Sequence, residues 1–206
     1  MKKVIILGAG GHAKVIADII EKSGDEVIGF LDDNVDIQGK VIFDGRKVIG
    51  KINDVINYKD DYVVIGIGNN KIRKMFAEKY PSLNWYTAIH PNAVIGKEVK
   101  IGKGTVVMSG VIINPGTFVG NHVIINTSSS VDHDNIIGDY VHISPGSHLA
   151  GTVTVGEGTW ICSGVTVINN IMINKNNIIG AGSVVIHDID NENGTYVGVP
   201  VKILKK

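Results

Sequence analysis

The sequence predicts two domains, an α/β domain over residues 1–90 and a parallel β-helix over residues 91–206. Two observations carry this prediction. In the second half an aliphatic residue recurs at every sixth position. Neither an α-helix nor an ordinary hairpin sheet has a period of six residues. In the first half short apolar runs alternate with glycine turns and helical patterns, as strands and helices around a parallel sheet do.

The first 90 residues contain four apolar runs that predict strands. The runs are Lys3–Leu7, Glu26–Leu31, Tyr62–Ile67 and Asn84–Ile89. Helical spacing follows the first and third runs, so the order is strand, glycine turn, helix and strand. This order predicts a small Rossmann-like domain with a parallel sheet.

A glycine-rich turn, Gly8-Ala9-Gly10-Gly11-His12-Ala13, follows the first strand and nearly matches the dinucleotide fingerprint. A nicotinamide cofactor is the obvious interpretation, but about four strands are few for a site that normally spans two βαβαβ halves. A mononucleotide or a sugar nucleotide fits better. Gly10, Gly11 and His12 would then present helix-start N–H groups to a phosphate.

Two further loops are candidates for the same ligand, because loops at the carboxyl ends of parallel strands meet at one edge of the sheet. Asp32 and Asp33 follow the second strand. There are two interpretations of this pair: the acids bind ribose or base hydroxyls, or they lie in a solvated turn. Gly68 and Asn69 follow the third strand. They are expected either to contact the ligand or to form a turn and a helix cap. Arg73 is expected to be solvated, paired with an acid or in contact with phosphate.

The six-residue period runs through sixteen aliphatic positions, and a column two residues earlier holds mostly small or β-branched side chains. The aliphatic positions are Ile95, Ile101, Val107, Ile113, Val119, Ile125, Val131, Ile137, Ile143, Leu149, Val155, Ile161, Val167, Ile173, Ile179 and Val185. A period this short is typical of hexapeptide repeats, in which each short strand stacks on the next coil. Glycines at 102, 120, 138 and 156 add a period of eighteen, so one coil is a triangle of three strands that bends tightly at glycine. About five coils would stand about 25 Å tall.

His133 is the candidate catalytic base. Positions 131 and 135 point inward, so His133 points out of the prism between Asp132 and Asp134, and a neighbouring carboxylate raises the basicity of an imidazole. The alternative is a surface histidine in a polar turn. Gly151 stands eighteen residues later, where its missing side chain would let a ligand approach a backbone N–H closely. A base below and a bare amide above suit acyl transfer, with the amide facing the developing oxyanion.

The other β-helix histidines are weaker candidates. His142 either points toward a bound thioester or lies on plain surface, and His122 and His148 are expected on the surface. No two histidines are four residues apart, so a zinc site is not expected.

Composition limits the partners and the compartment. Twenty basic residues balance twenty acidic ones, which argues against nucleic acid or an anionic membrane as a partner. No apolar run has the length of a membrane span. Cys162 is the only cysteine and cannot form an internal disulfide, so we expect a cytoplasmic protein.

Taken together, these motifs resemble the bacterial hexapeptide-repeat sugar acetyltransferases grouped with sialic acid O-acetyltransferase, above all the UDP-amino-sugar N-acetyltransferases of bacillosamine-type pathways. The resemblance rests on the glycine turn, Leu31-Asp32-Asp33, Ile67-Gly68-Asn69-Asn70, Asn126-Thr127-Ser128, His133, His142 and Gly198-Val199-Pro200. It implies a left-handed β-helix, acetyl-CoA bound between neighbouring subunits of a homotrimer, and a nucleotide sugar held by the N-terminal domain.

The resemblance also implies that His133 is the general base, that the acid after it orients it, and that Asn126 belongs to the substrate site. Some relatives carry Glu where this chain has Asp134, so either Asp132 or Asp134 supports His133. We therefore expect an acetyl-CoA-dependent N-acetyltransferase acting on a nucleotide-linked amino sugar, such as a UDP-4-amino-sugar. Sialic acid O-acetylation, a non-catalytic nucleotide-sensing module and a nicotinamide dehydrogenase are the alternatives.

Overall fold

The computed structural model describes residues 1–204 and divides the chain into two compact units. The first unit is Met1–Pro91, and the second begins at Asn92.

The first unit is a sheet with helices and short 3-10 segments. Its strands are β1 (Lys3–Leu7), β2 (Glu26–Leu31), β3 (Val41–Phe43), β4 (Arg46–Gly50), β5 (Tyr62–Ile65), β6 (Asn84–Trp85) and β7 (Ala88–Ile89). Its helices are α1 (Gly11–Lys22) and α2 (Asn70–Lys79), and the 3-10 segments are Val35–Ile37 and Ile52–Tyr58.

The sheet of this unit has the order β3-β4-β2-β1-β5-β6, with β1 parallel to both β2 and β5. The apolar residues of β1 are fully buried, as expected for the central strand of a parallel sheet covered by helices. The loops that follow β1, β2 and β5 therefore open at the same edge.

The prediction of four strands was wrong. The segment 84–89 forms two short strands, and β3 and β4 form a hairpin that the sequence interpretation missed. Asp44 and Gly45 join β3 to β4 with φ angles of 38° and 76°. An Asp-Gly pair between short apolar runs is a hairpin signal that was available in the sequence.

The second unit is a three-faced β-helix built from two-residue strands, with a longer one near its end. These are β8 (Val94–Ile95), β9 (Lys100–Ile101), β10 (Val106–Val107), β11 (Ile112–Ile113), β12 (Phe118–Val119), β13 (Ile124–Ile125), β14 (Ser130–Val131), β15 (Ile136–Ile137), β16 (His142–Ile143), β17 (His148–Leu149), β18 (Thr154–Val155), β19 (Trp160–Ile161), β20 (Thr166–Val167), β21 (Met172–Ile173), β22 (Ile178–Ile179), β23 (Val184–Val185), β24 (Thr195–Val197) and β25 (Lys202–Ile203).

From β8 to β23 each face stacks every third strand in parallel, so paired residues are eighteen apart, and at the end of the third face β24 pairs with β22 and with the antiparallel β25. Ser130, for example, lies opposite Ile112 in one neighbouring coil and His148 in the other. One face is β8-β11-β14-β17-β20-β23, the second is β9-β12-β15-β18-β21, and the third runs from β10 through β13, β16, β19 and β22 to β24 and β25. The predicted triangular coil of three strands is confirmed.

The predicted aliphatic column forms the core of the prism. From Val107 to Val185 its members are at most 2% exposed, whereas Ile95 and Ile101 in the first coil are more accessible. From Thr105 onward the second column is also buried, and several of its polar members bond to the turn carbonyl fifteen residues further on. Thr105 Oγ1, for instance, donates to Gly120 O over 2.8 Å. Such bonds satisfy polar groups that water cannot reach.

The eighteen-residue glycine column has a different cause from the tight bend that was predicted. A Cβ placed on Gly102 would lie 2.5 Å from the carbonyl carbon of Gly120 in the next coil. The left-handed φ angles occur two residues later, at Gly104, His122, Tyr140 and Gly158. Close stacking of the coils therefore selects glycine at these positions.

Candidate active site

His133 lies in the turn between β14 and β15. The turn is bonded to both neighbouring coils, because Asp134 N–H donates to Pro115 O over 3.1 Å and Thr152 N–H donates to His133 O over 2.9 Å. Val131 and Asn135 are fully buried, whereas the His133 side chain is 56% exposed. The predicted outward orientation of His133 is confirmed.

The two flanking acids do different things. Asp134 Oδ2 is 2.8 Å from the imidazole Nδ1, and Asp134 has a left-handed φ of 57°. Asp132 Oδ1 instead accepts the backbone N–H of His133 over 2.8 Å and Nδ2 of Asn114 over 2.6 Å. Of the two acids left open by the sequence, Asp134 therefore contacts the imidazole and Asp132 holds the turn.

This arrangement prepares the imidazole to act as a base. The hydrogen bond to Asp134 raises the pKa of His133 above its ordinary value; the negative charges of Asp132 and Asp134 act in the same direction, and desolvation opposes them. An ionised carboxylate can only accept, so Nδ1 carries the proton in the neutral ring and Nε2 holds a free lone pair.

Gly151 lies beside that lone pair. A Cβ on Gly151 would be 2.5 Å from His133 Nε2 and 2.6 Å from its Cε1. Any larger residue would therefore displace the imidazole. The prediction that Gly151 lies next to His133 in the neighbouring coil is confirmed in its geometry.

A groove of about 320 Å³ lies on the adjoining face, lined by Ser130, Asp132, His148, Ala150 and Thr166, among others. His148 is exposed, as predicted, with Nδ1 2.8 Å from Ser130 Oγ. Two of its lining residues, Asp132 and Ala150, directly precede His133 and Gly151 in the sequence.

His142 and Asn126 form a separate cluster. Asn126 Nδ2 is 3.1 Å from His142 Nε2, and the His142 ring stacks on Trp160 with centroids 6.0 Å apart. Asn126 lies in the turn before β14, whereas His133 lies in the turn after it. Within one chain, the structure thus groups His142 with Asn126. The assignment of both His142 and Gly151 to acetyl-CoA stays a prediction.

The expectation that His122 lies on the surface was wrong. His122 is 4% exposed and stacks on Tyr140 with centroids 5.7 Å apart. Its left-handed φ of 52° places it in a turn, and nothing in the hexad period distinguishes it from an exposed turn residue.

The three loops at the edge of the N-terminal sheet converge as predicted. Asp32 Oδ2 accepts the N–H of Ala9 over 2.9 Å, and its Oδ1 accepts the N–H of Asn34 over 2.9 Å. Asp33 Oδ1 accepts the N–H of Ile52 over 3.0 Å. Both acids thus shape the loops, and a contact of either with a nucleotide stays a prediction.

The glycine turn leaves room at the start of α1. Gly10 and Gly11 are exposed, and a Cβ on either would meet no atom within 4 Å, as is also true of Gly68. Asn69 Oδ1 accepts the N–H of Ile72 over 3.1 Å, which confirms a cap role for Asn69 at α2.

Arg73 and His12 lie behind these loops. Arg73 is 1% exposed and donates to Gly68 O over 3.1 Å and Asn70 Oδ1 over 3.0 Å, so the solvated alternative was wrong. Burial, assisted by the positive charge of Arg73, lowers the pKa of His12 to about 4. His12 Nε2 is buried and has no hydrogen-bond partner in the part of the chain that the structure describes.

Residues 1–204 contain no cluster of three His, Cys, Asp or Glu side chains able to hold a metal ion. None of the helices in this range has the length and apolar character needed to cross a membrane.

Comparison with known proteins gives matches over both units. Residues 3–80 match the PglD N-terminal domain family, and residues 92–127 match the bacterial transferase hexapeptide family. The acetyltransferase domain of PglB from Neisseria gonorrhoeae is 34% identical with a TM-score of 0.92, over 99% of this chain and 100% of that one. That domain has also been solved with acetyl coenzyme A.

Two further relatives are informative. PerB from Caulobacter crescentus, solved with CoA and GDP-perosamine, is 34% identical with a TM-score of 0.92, over 100% of this chain and 98% of that one. UDP-N-acetylbacillosamine N-acetyltransferase of Bacillus subtilis is 40% identical over 53% of this chain and 52% of its own length. The chain spans between 24% and 61% of the length of the curated relatives it matches. These likenesses confirm the predicted fold, a Rossmann-like domain followed by a left-handed parallel β-helix.

Proposed function

The chain belongs to the family of hexapeptide-repeat sugar acetyltransferases that carry a PglD N-terminal domain, and on this premise we propose that it transfers acetyl from acetyl-CoA to the amine of a nucleotide-linked amino sugar. The observation that carries the proposal is the lone pair of His133 Nε2 directly beside the bare backbone of Gly151. That pair of groups supplies what acyl transfer needs, a base and a backbone donor.

In the proposed mechanism His133 Nε2 accepts the proton that the sugar amine loses while its nitrogen bonds to the thioester carbonyl carbon. Gly151 N–H donates to the carbonyl oxygen as that oxygen gains charge. The carbon–sulfur bond then breaks, and the imidazolium returns its proton to the leaving sulfur, so the products are the amide and free coenzyme A. Such general-base catalysis contributes about 10²–10⁴-fold.

The nucleotide is proposed to bind at the N-terminal sheet edge. The free N–H groups at Gly10 and Gly11 would take a phosphate, and the neutral His12 adds no charge at neutral pH. A solved relative holds GDP-perosamine, while the Bacillus subtilis relative is named for a UDP-sugar. We propose a UDP-4-amino-sugar because the Bacillus subtilis relative, which is 40% identical over 53% of this chain, is named for a UDP-sugar.

We further propose a homotrimer with its active sites between subunits. Phe118, Ile136 and Met172 are 47%, 53% and 46% exposed, and they lie in one outward column of the β9-β12-β15-β18-β21 face. Exposed apolar columns favour burial against another copy. A neighbouring subunit could also bring the second cluster, His142 with Asn126, to the His133 turn.

A subunit-mixing experiment tests this arrangement. His133→Ala and His142→Ala proteins are each expected to be impaired, and mixed trimers should regain activity at interfaces that combine an intact His133 with an intact His142. A mixture no more active than its parents, although light scattering shows mixed trimers, would place both histidines of a site in one chain.

The activity itself is tested by incubating the protein and acetyl-CoA with a UDP-4-amino-sugar, a GDP-4-amino-sugar or sialic acid and measuring free thiol. Thiol release with an amino sugar, absent in His133→Ala, supports the proposal. Release with sialic acid alone would identify an O-acetyltransferase. Calorimetry that detects binding of nucleotide but not of acetyl-CoA would identify a sensing module, and tight binding of NADH would identify a dehydrogenase.

The proposal includes a cytoplasmic location, since Cys162 has no second cysteine with which to form a disulfide.

A further inference from the structure

The buried side chain of Asn135 joins the turn of His133 to the turn of Gly151. Asn135 is fully buried, and its Nδ2 donates to Ala150 O over 3.0 Å, to Asp132 O over 2.7 Å and to His133 O over 3.3 Å. Its Oδ1 accepts the N–H of Val153 over 2.9 Å. One side chain therefore holds the backbone on both sides of the candidate site.

The bond to Ala150 O also determines where the N–H of Gly151 points. Ala150 O and Gly151 N–H belong to the same peptide group, and in a trans peptide they point in opposite directions. Since Ala150 O is drawn toward the interior by Asn135, the N–H of Gly151 is directed outward. Within the described residues 1–204 this N–H donates to no acceptor.

In three other turns the comparable N–H group is capped by the side chain of the preceding residue. Asn126 Oδ1 accepts the N–H of Thr127 over 2.8 Å, Asp132 Oδ1 that of His133 over 2.8 Å, and Asn174 Oδ1 that of Lys175 over 2.9 Å. The side chain of Ala150 contains no hydrogen-bond acceptor for the N–H of Gly151. An uncapped N–H in a buried residue is uncommon and points to an acceptor from outside the chain.

We propose that Asn135 is a positioning residue that aims the N–H of Gly151 at the acetyl carbonyl oxygen, and that alanine at 150 keeps this N–H available. The inference rests on the proposed acetyl transfer. A donor held in advance toward the developing oxyanion needs no reorganisation during the reaction, and this is what makes it effective.

A purely structural role for Asn135 makes a different prediction. Other polar residues of the same column also bond to the turn carbonyl fifteen residues on, as Thr117 does with Asp132 O over 2.7 Å and Thr159 with Asn174 O over 2.9 Å. If Asn135 only served this ladder, its loss would lower stability without a specific effect on turnover.

Asn135→Val separates the two roles, since valine occupies the same column at position 153. We expect kcat to fall up to about 10²-fold, as misplaced catalytic groups do. The KM for each substrate should stay within about threefold, and the pH dependence should be unchanged because the His133–Asp134 bond is untouched. The matched control is Asn177→Val, which removes another fully buried asparagine with bonds to Asn174 O and Asn191 O. Asn177→Val should lose about as much stability as Asn135→Val, and its kcat should stay that of the wild type.

Asn135→Thr is the rescue variant. By the geometry of Thr117 and Thr159, its hydroxyl would donate to Ala150 O and keep the peptide orientation. Near wild-type kcat in Asn135→Thr is expected. A folded Asn135→Thr enzyme with a large loss of kcat would overturn the proposal, even if Asn135→Val failed to fold.

Ala150→Asn tests the amide itself, because an asparagine there would cap Gly151 N–H as Asn126 caps Thr127. We expect kcat to fall about 10²–10³-fold, the usual effect of losing one oxyanion donor, whereas Ala150→Val adds bulk without an acceptor and should fall much less. If Ala150→Asn lowers kcat but Asn135→Val does no more than Asn177→Val, the role of Asn135 is overturned while the proposed function stands. If no amino sugar is acetylated at all, it is the proposed function that fails.

Discussion

Gly151→Ala puts a methyl group where the structure leaves no space beside His133. The added Cβ would lie 2.5 Å from Nε2, and ordinary contact begins at 3.4 Å, so the imidazole has to retreat by the difference, about 0.9 Å. Misplacing a catalytic group by about 1 Å can cost about 10²-fold in rate. This corresponds to about 2.7 kcal/mol of transition-state stabilisation.

The retreat has a second consequence that the same experiment detects. It strains the 2.8 Å bond between His133 Nδ1 and Asp134 Oδ2, which is the main cause of the raised pKa of His133. The base is active only when neutral, so activity rises as the pH passes the pKa of His133. In Gly151→Ala that pKa should fall back toward its ordinary value, and the rise should move to lower pH.

The assay is thiol release under saturating acetyl-CoA and nucleotide sugar across a pH series. The control is Gly29→Ala in the N-terminal unit, where the three atoms nearest to an added Cβ all belong to the Ile49 side chain, the first of them 2.9 Å away. Gly29→Ala should keep its kcat and pH profile. A Gly151→Ala enzyme with kcat within about threefold of wild type and an unshifted profile would refute the placement of the base beside Gly151.

Three further outcomes follow from the same structure. His133→Ala should lose about 10²–10⁴-fold in kcat while calorimetry shows little change in acetyl-CoA affinity; retention of a tenth of the activity would exclude it as the base. Asp134→Asn keeps a residue type that tolerates the left-handed backbone, so it should fold normally, lower kcat less than His133→Ala and shift the pH–rate rise to lower pH; an unshifted rise would contradict the pairing. Ile143→Ala removes a fully buried core side chain and should cost about 2–5 kcal/mol in denaturant unfolding, whereas the exposed Ile136→Ala should cost much less unless subunit contacts bury it.

The sequence alone determined the architecture of the second unit and the outward placement of His133. A strand alternates its side chains between two faces, and identical hexads repeat that alternation, so one aliphatic column is enough to define the interior. The eighteen-residue coil then places Gly151 over His133, as the structure confirms. In the first unit, the glycine turn and the acids after β2 were found because parallel strands end at one edge of their sheet.

Other features depended on the tertiary structure because they are decided by side-chain directions and local backbone angles, which the period leaves open. The left-handed backbone of Asp134 brings its carboxylate to the imidazole, while Asp132 turns back to the N–H of His133. His142 and Asn126 lie sixteen residues apart in sequence, and their contact follows from the stacking of β16 on β13.

The buried polar groups show the same limit most clearly. Arg73 and His122 resemble ordinary surface residues in the sequence, yet the structure buries both. Asn135 appears in the hexads only as one more small polar residue of the inward column. Its effect on Gly151 becomes visible only when the coils are stacked, because a single amide group can reach three carbonyls only after two successive turns have been brought within hydrogen-bond distance.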